Sequence, residues 1–465
     1  MMTLNQAALW IGSCKLVGSG SVAINRVHTD TRTLTAGDLF VALKGERFDA
    51  NNFLLEAQQQ GAAAALAHHG LAAANLAGLE VPDSKLALGR LAAGWRSQFG
   101  LPLIAVTGSN GKTTVTQMIA AILRAWKPDR AFSTEGNLNN DIGVPMTLLR
   151  LRATHEVGVV ELGMNHPGEI AYLADLTGPT VALVNNAQRE HLEFMSTVEA
   201  VARENGSVIA SLPSDGTAVF PADDEYTPLW SALAGNRSSI TFAAPGSSTA
   251  ADVVANATWV DDVWQVNATA PGGFLQFRLN IAGRHNVKNS LAATACAVAA
   301  GVPLEAISQG LSAFVPVKGR SRALLVKIHG RTLNLVDDTY NANPDSVRAA
   351  IEVLADLPKP RLLVMGDMGE VGNQGAHFHE EAGHLARQSG IENLFTLGVQ
   401  SEGAAISFGV GRHFSDIESL NAAVLEELPQ LGSVLVKGSR FMQMERVVQA
   451  ITAKTQPTKE ESHAT

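Results

Sequence analysis

Cysteine is almost absent from this chain, with only Cys14 and Cys296 in 465 residues. So few thiols argue against a disulfide framework and fit a reducing compartment. Positive charge is also scarce. The 35 Lys and Arg are outnumbered by 44 Asp and Glu, giving a net charge of −9. That balance argues against broad nucleic-acid binding, so an anionic substrate would need local basic and N–H-rich sites. No basic-then-apolar leader is visible at the N-terminus. The Ala-rich stretch Gly61 to Gly78 is broken by His68, His69 and Asn75. It therefore reads as a core helix region and not as a membrane span. The C-terminal third lacks a G-x-G-x-x-G fingerprint, so dinucleotide binding is not indicated there.

What is present points to a multidomain globular protein. Apolar content is 46% and charged content 17%, and the length predicts roughly two to four domains, each with its own core. The stretch Leu101-Pro-Leu-Ile-Ala-Val-Thr-Gly-Ser-Asn-Gly-Lys-Thr-Thr114 stands out. Leu103 to Val106 reads as a buried strand, and a helix starts at Thr113 with Val115, Met118, Ile119, Ile122, Leu123 and Trp126 at helical spacing. Between them, Gly108, Ser109, Asn110 and Gly111 form a tight loop, followed by Lys112, Thr113 and Thr114. Glycines let backbone N–H groups approach phosphate oxygens, and the helix N-terminus adds positive potential. Lys112 would reach the outer phosphates, and the Thr113 hydroxyl would ligate Mg²⁺. The plainer reading is a strand–turn–helix corner with a solvated lysine.

Three segments follow from the pattern. Residues 1–98 read as a small α/β substrate domain, with a strand over Asp38 to Leu43 and a helix over Phe53 to Leu66. Residues 99–315 read as a P-loop-type domain with a largely parallel sheet. Its further strands fall at Val157 to Val160 and Val181 to Val184, and its helices at Val198 to Leu212 and Asn286 to Ala300. Asp252 to Leu279 alternates apolar and polar residues and predicts an antiparallel β insertion. Residues 316–465 read as a Rossmann-like domain, with strands at Leu333 to Val336, Leu362 to Met365, Leu394 to Leu397 and Ser433 to Val436, and a polar tail from Lys454. The fold class is thus α/β, with the active site expected between domains.

Several polar positions could carry chemistry. Glu161 ends a strand beside the phosphate loop and is placed to hold Mg²⁺ with Thr113. His191 follows another strand end and could ligate a second ion, although a lone His is more often structural. Asn137, Asn139 and Asn140 lie in a loop crowded with amides that suits a polar ligand, or else a set of Asx turns. Asn286 and Asn289 open a helix and could read an adenine edge, though Asn is also a good cap. Arg320 sits at a domain junction from which it could reach a transferring phosphate. Asp338 could hold ribose hydroxyls, with Asn341 and Asn343 in the same strand-to-helix segment. Lys437, Ser439 and Arg440 precede a helix and suit a small carboxylate. Arg32, Lys44 and Arg47 could receive a phosphate-bearing ligand, with Asp30 and Thr31 hydrogen-bonding its sugar or base, or else these residues form an ordinary loop with surface salt bridges.

Together, Thr107-Gly-Ser-Asn-Gly-Lys-Thr-Thr114, Glu161, His191, the pair Asn286 and Asn289, Arg320 and the Asp-Asp-x-Tyr segment resemble the Mur ligase family of ATP-dependent amide-bond-forming enzymes. The resemblance runs in order over nearly the whole chain. Gly136-Asn-Leu-Asn-Asn140, Glu161-Leu-Gly-Met-Asn165, Asp338-Thr-Tyr-Asn-Ala-Asn-Pro344, Gly366-Asp-Met-Gly-Glu370 and Val436-Lys-Gly-Ser-Arg440 are similar to members that join D-alanyl-D-alanine to UDP-N-acetylmuramoyl-tripeptide. The resemblance implies ATP and Mg²⁺ as cofactors, an acyl-phosphate intermediate, and a UDP site around Asp30, Thr31 and Arg32. It also implies a cytoplasmic role in peptidoglycan precursor synthesis. A monomer is the expected form. Other amide ligases of the superfamily, or a nucleotide-binding regulator without catalysis, are the alternatives. One position departs from the pattern. The family usually carries a carbamylated lysine as a metal ligand, and the matching residue here is Asn205. Glu204 or a water network is the expected compensation.

Overall fold

A computed structural model describes residues 1–45, 48–260, 263–328, 330–454 and 456–457. Arg47 and most of the polar tail lie outside the described residues. Three α/β domains follow one another along the chain, each organised on one main sheet.

The first sheet has five strands, in the order Lys15–Val17, Gly78–Glu80, Ala64–Ala67, Asp38–Val41 and Arg26–His28. The structure corrects two helix expectations here. The helix after Phe53 covers only Leu54–Gln59, and the alanine-rich stretch supplies the strands Ala64–Ala67 and Gly78–Glu80. Alanine favours helix in isolation, but this segment is flanked by parallel strands on both sides. Ala64 and Leu66 enter one core cluster, while Ala65 and Ala67 enter another on the opposite face. A strand buried on both faces shows a continuous apolar run, which periodicity alone cannot tell from a buried helix.

The central sheet has six parallel strands, in the order Ser238–Phe242, Thr217–Pro221, Val181–Val184, Leu103–Thr107, Val157–Glu161 and Ala131–Ser133. Leu103–Thr107 pairs with Val157–Glu161 on one side and Val181–Val184 on the other, so three strand ends meet at one edge. Its residues alternate between two cores, Leu103 and Ala105 on one face and Ile104 and Val106 on the other. Helix Lys112–Trp126 covers the second face with Val115, Met118, Ile119, Ile122 and Leu123. The β insertion is an antiparallel meander of Val254–Val260, Val263–Ala270 and Gly273–Leu279, as the alternation predicts.

The last sheet runs Arg412–Phe414, Asn393–Leu397, Arg361–Gly366, Ser433–Lys437, Arg331–Asp338, Arg322–Ile328 and Gln456–Pro457. The first five are parallel, whereas Arg322–Ile328 joins antiparallel at the side of Arg331–Asp338. Leu362 and Val364 face helices Ile417–Glu427 and Glu445–Lys454, and Leu363 and Met365 face Pro344–Ala355 and Gly375–Gln388. In sheets of this kind ligands bind beyond the carboxyl ends of the strands.

The phosphate-loop helix is held in place partly by close packing. Helix Leu304–Ser312 crosses it at Gly310, where an added Cβ would stand 2.3 Å from the Ile122 Cα. Gly310→Ala should therefore force the helices apart and cost about 1–3 kcal/mol. Chemical denaturation followed by circular dichroism would measure this, and an unchanged midpoint would contradict it.

Candidate active site

The central and last sheets turn their strand ends toward one cleft of about 910 Å³. The phosphate loop forms its floor. Gly111 adopts φ 80° and caps helix Lys112–Trp126, and no side chain caps that helix, so its first N–H groups are free of any capping side chain. A Cβ on Gly111 would lie 2.7 Å from Asn289 Oδ1 and 2.9 Å from Asn185 Nδ2, so only glycine fits between these amides. Asn185 and Asn186, just past strand Val181–Val184, clasp the loop. Asn186 Oδ1 accepts from the Asn110 N–H at 2.8 Å, and the Asn185 amide donates to the Asn110 carbonyl at 2.8 Å.

Lys112 is not the solvated lysine of the plainer reading. Its side chain is 14% exposed and folds across its own loop, pairing with Glu190 Oε1 at 2.9 Å. Its ammonium also donates to the carbonyls of Gly108 at 2.7 Å and Ser109 at 3.1 Å. Thr113 Oγ1 donates to Glu161 Oε1 at 3.0 Å, and the Asn139 amide donates to the same oxygen at 2.7 Å. A hydroxyl and a carboxylate side by side at the lip of a phosphate loop suit Mg²⁺, a hard ion bound by one or two protein oxygens plus phosphate and water. Among the described residues no three His, Cys, Asp or Glu converge on one metal position.

His191 stands in the left-handed region at φ 50°, an unusual conformation for a non-glycine residue. Burial works against its charged form, but contacts to Glu190 and Glu370 outweigh that and raise its pKa to about 9. Nδ1 lies 2.6 Å from Glu370 Oε2, and Nε2 lies 3.5 Å from Glu190 Oε1. Binding a metal through this ring would release its proton.

Other expected residues fall into the cleft with different occupations. Asn286, Asn289 and Asn185 form an amide relay, at 3.0 Å per step, that runs toward the phosphate loop. Asn140 accepts from the Gly143 N–H at 2.8 Å, the turn role, while Asn137 lines the cleft. Arg320 lies 3.9 Å above the Tyr340 ring, and its segment is strapped down by Asp337 and Asp338 through the Gly319 and Ser321 N–H groups. Asp338 is engaged by Lys437 at 2.6 Å. Burial opposes its ionised form, yet the lysine holds the carboxyl below its usual range. Lys437 also donates to the Asn341 carbonyl at 3.0 Å, Ser439 accepts from the Gly369 N–H at 2.7 Å, and Arg440 pairs with Glu445 at 2.9 Å. Thr114 and the walls around Ser109 also line the cleft.

Asp30, Thr31, Arg32 and Lys44 do not line it. They sit on the first domain, where Asp30 pairs with Arg32 at 2.6 Å and Lys44 lies 3.9 Å from Asp49. The expected compensation by Glu204 does not hold. Its two oxygens accept from the N–H groups of Gly168 at 2.9 Å and Ile170 at 2.8 Å, capping helix Glu169–Thr177. Asn205 is buried and accepts from Thr107 Oγ1 at 2.7 Å; neither residue lines the cleft.

Sequence reasoning missed the loop that joins the two halves of the cleft. Arg189, next to Glu190, donates to Asp345 at 2.7 Å and to Glu381 at 2.8 Å, on helices Pro344–Ala355 and Gly375–Gln388. Its guanidinium also lies 5.2 Å from the Phe378 ring centroid. Asn343, which caps the first of these helices, donates to Asn110 Oδ1 at 2.9 Å. The only hint in the sequence was that Arg189 and Glu190 directly precede His191; the two carboxylates that Arg189 meets lie 156 and 192 residues away. Arg189→Ala leaves Asp345 without its guanidinium partner, while Glu381 keeps Arg348 at 2.7 Å, a cost of about 1–3 kcal/mol at the domain junction. Small-angle scattering should show a larger radius of gyration for that variant than for the parent, and identical curves would contradict the latch.

The chain matches known proteins over most of its length. Profiles described as the Mur ligase family catalytic domain, the Mur ligase middle domain and the Mur ligase glutamate ligase domain match residues 23–96, 106–297 and 322–440. The UDP-N-acetylmuramoyl-tripeptide–D-alanyl-D-alanine ligase of Escherichia coli is 41% identical, covering 92% of this chain and 94% of the relative. The enzyme of that name from Haemophilus influenzae is 37% identical, covering 95% and 96%. Among solved structures, MurF from Acinetobacter baumannii superposes with a TM-score of 0.88 at 34% identity, over 97% of this chain and 99% of that one. MurF from Thermotoga maritima, in complex with ADP, gives 0.81 at 26% identity, over 92% and 97%. With three consecutive profile matches and relatives this similar over almost the full chain, the protein belongs to the Mur ligase family.

Proposed function

We propose that this enzyme joins D-alanyl-D-alanine to UDP-N-acetylmuramoyl-tripeptide, with ATP converted to ADP and phosphate. The observation that carries the reading is a phosphate loop at the end of the central strand, facing Arg320 across one cleft, in a chain 41% identical to a ligase of that name.

The chemistry follows from the electrophile. A carboxylate resists attack by an amine because its negative charge repels the nucleophile and oxide is a poor leaving group. Transfer of the γ-phosphoryl group to the tripeptide's terminal carboxylate breaks the bond to the ADP oxygen and makes a mixed anhydride. The amine of D-alanyl-D-alanine then adds to the carbonyl carbon. The tetrahedral adduct expels inorganic phosphate, and the nitrogen loses its proton as the amide forms. Lys112, drawn off Glu190, would neutralise charge on the outer phosphates, and the uncapped helix N-terminus would hold their oxygens. Arg320, fixed over Tyr340, would meet charge from the opposite wall. Thr113 and Glu161 would hold Mg²⁺, which when bound neutralises charge on phosphate oxygens. The domain junction held by Arg189 and Asn343 keeps water from the anhydride.

The substrate is long, so its nucleotide end must be anchored away from the reacting carboxyl. Asp30, Thr31, Arg32 and Lys44 are suited to that anchor because they lie outside the cleft. Asn137, Asn139 and Asn140 would orient the peptide, and Lys437, Ser439 and Arg440 the incoming dipeptide's carboxylate. Asn286, Asn289 and Asp338 would receive the nucleoside of ATP. A reaction that consumes ATP and a UDP-linked precursor runs where nucleotides are kept, in the cytoplasm, and the reading takes the enzyme to act there as a monomer.

The test is phosphate release with UDP-muramyl tripeptide, with and without D-alanyl-D-alanine. Release should depend on both acceptor and donor and yield the pentapeptide product. Lys112→Ala should lower kcat by at least about 10³-fold while circular dichroism stays unchanged. Near-normal turnover in that variant, or release indifferent to D-alanyl-D-alanine, would refute the assignment.

A further inference from the structure

Arg320 and Tyr340 are both half-buried and both line the cleft. The guanidinium lies 3.9 Å from the ring centroid, and among the described residues it has no ion pair or side-chain hydrogen bond. Carboxylates are close by but committed. Asp338 is engaged by Lys437 at 2.6 Å, and Asp337 accepts from Thr339 Oγ1 at 2.7 Å and from the Gly319 N–H at 3.1 Å. Arg440, the other arginine near this ring at 6.0 Å, differs in having Glu445 at 2.9 Å. The Tyr340 hydroxyl makes no hydrogen bond among the described residues, so the contact is made by the ring alone. Backbone fixes the stack from both sides. The Tyr340 N–H donates to the Gly319 carbonyl at 3.0 Å, and the Ser321 N–H donates to Asp338 at 2.9 Å. Gly319 has φ 78°, and a Cβ there would stand 3.3 Å from the Tyr340 nitrogen, so glycine permits this close approach.

An arginine that meets a phosphoryl group in transfer must be held without being neutralised. A carboxylate partner would orient the guanidinium but take up its charge. An aromatic face orients it and leaves the N–H groups in the plane of the fork free to donate. We propose that Tyr340 is the positioning residue for Arg320, its ring face holding the guanidinium where the phosphoryl group passes. The inference rests on the ligase reading above, which gives Tyr340 no part in the reaction. Without the ring, the long arginine stem would sample many rotamers, few of which reach the anion. The ring makes that selection before substrate arrives. The benefit passes through a contact strongest in the transition state, so it belongs to kcat more than to binding.

The experiment is steady-state phosphate release by the full chain with ATP, UDP-muramyl tripeptide and D-alanyl-D-alanine. Tyr340→Leu should lower kcat at least about tenfold, with each KM within about threefold of the parent. Tyr340→Phe keeps the ring and should hold kcat within about threefold. In an Arg320→Ala background, Tyr340→Leu should change kcat by less than about threefold, because the group it positions is gone. A full loss in Tyr340→Phe would move the role to the hydroxyl and overturn the proposal. So would an unchanged kcat in Tyr340→Leu, or a loss of equal size with and without Arg320. If Tyr340→Leu does not fold, as judged by circular dichroism, crystals of the parent with ADP, Mg²⁺ and aluminium fluoride decide the matter. Arg320 donating to the fluoride while still over the ring supports the proposal, and any other position of Arg320 overturns it. A parent that releases no phosphate in response to D-alanyl-D-alanine would sink the ligase reading as well. An active parent with an indifferent Tyr340→Leu sinks this inference alone.

Discussion

The ammonium of Lys112 lies between two claims. In this structure it is held by Glu190 and by two carbonyls of its own loop. In the proposed function a triphosphate would offer more negative charge at the same place. Much of the cleft packs around the loop that carries this lysine. Glycine at 111 lets the amides of Asn185 and Asn289 come against the loop, and the central strand carries the loop between two flanking strands whose ends supply Glu161 and Asn185. A less crowded loop would leave the lysine in water, where its charge would be worth far less.

The same loop that supplies Glu190 also ties the domains together. Residues 185–191 bond to the phosphate loop through Asn185, Asn186 and Gln188, and to the last domain through Arg189. Movement of the phosphate loop and movement of the last domain therefore share a short stretch of chain. An amide ligase that makes a water-sensitive anhydride needs such a link, because the acceptor must be enclosed before the anhydride forms.

Some polar residues that looked free are already engaged. Lys437 neutralises Asp338, and Asn140 completes a turn. Arg320 is different, for its fixed contact is the face of Tyr340. Stacking leaves its N–H groups in their plane able to meet an anion. The wall facing the phosphate loop is thus stiff without being electrostatically spent.

The sequence by itself determined the phosphate loop, the parallel strands that flank it, the antiparallel insertion, and the presence of Glu161 and His191 near the loop. These are local signals: a strand's apolar run, glycine at a turn, and a helix's spacing are encoded within a few residues. Tertiary structure decided the rest. Ala64–Ala67 became a strand because sheet neighbours cover both its faces, a context no local propensity contains. It also turned Glu204 toward a helix end and Glu190 toward Lys112, and brought Arg189 to Asp345 and Glu381. Charge pairs of this kind are set by which strand ends the fold brings together, and the spacing of residues along the chain carries no record of that.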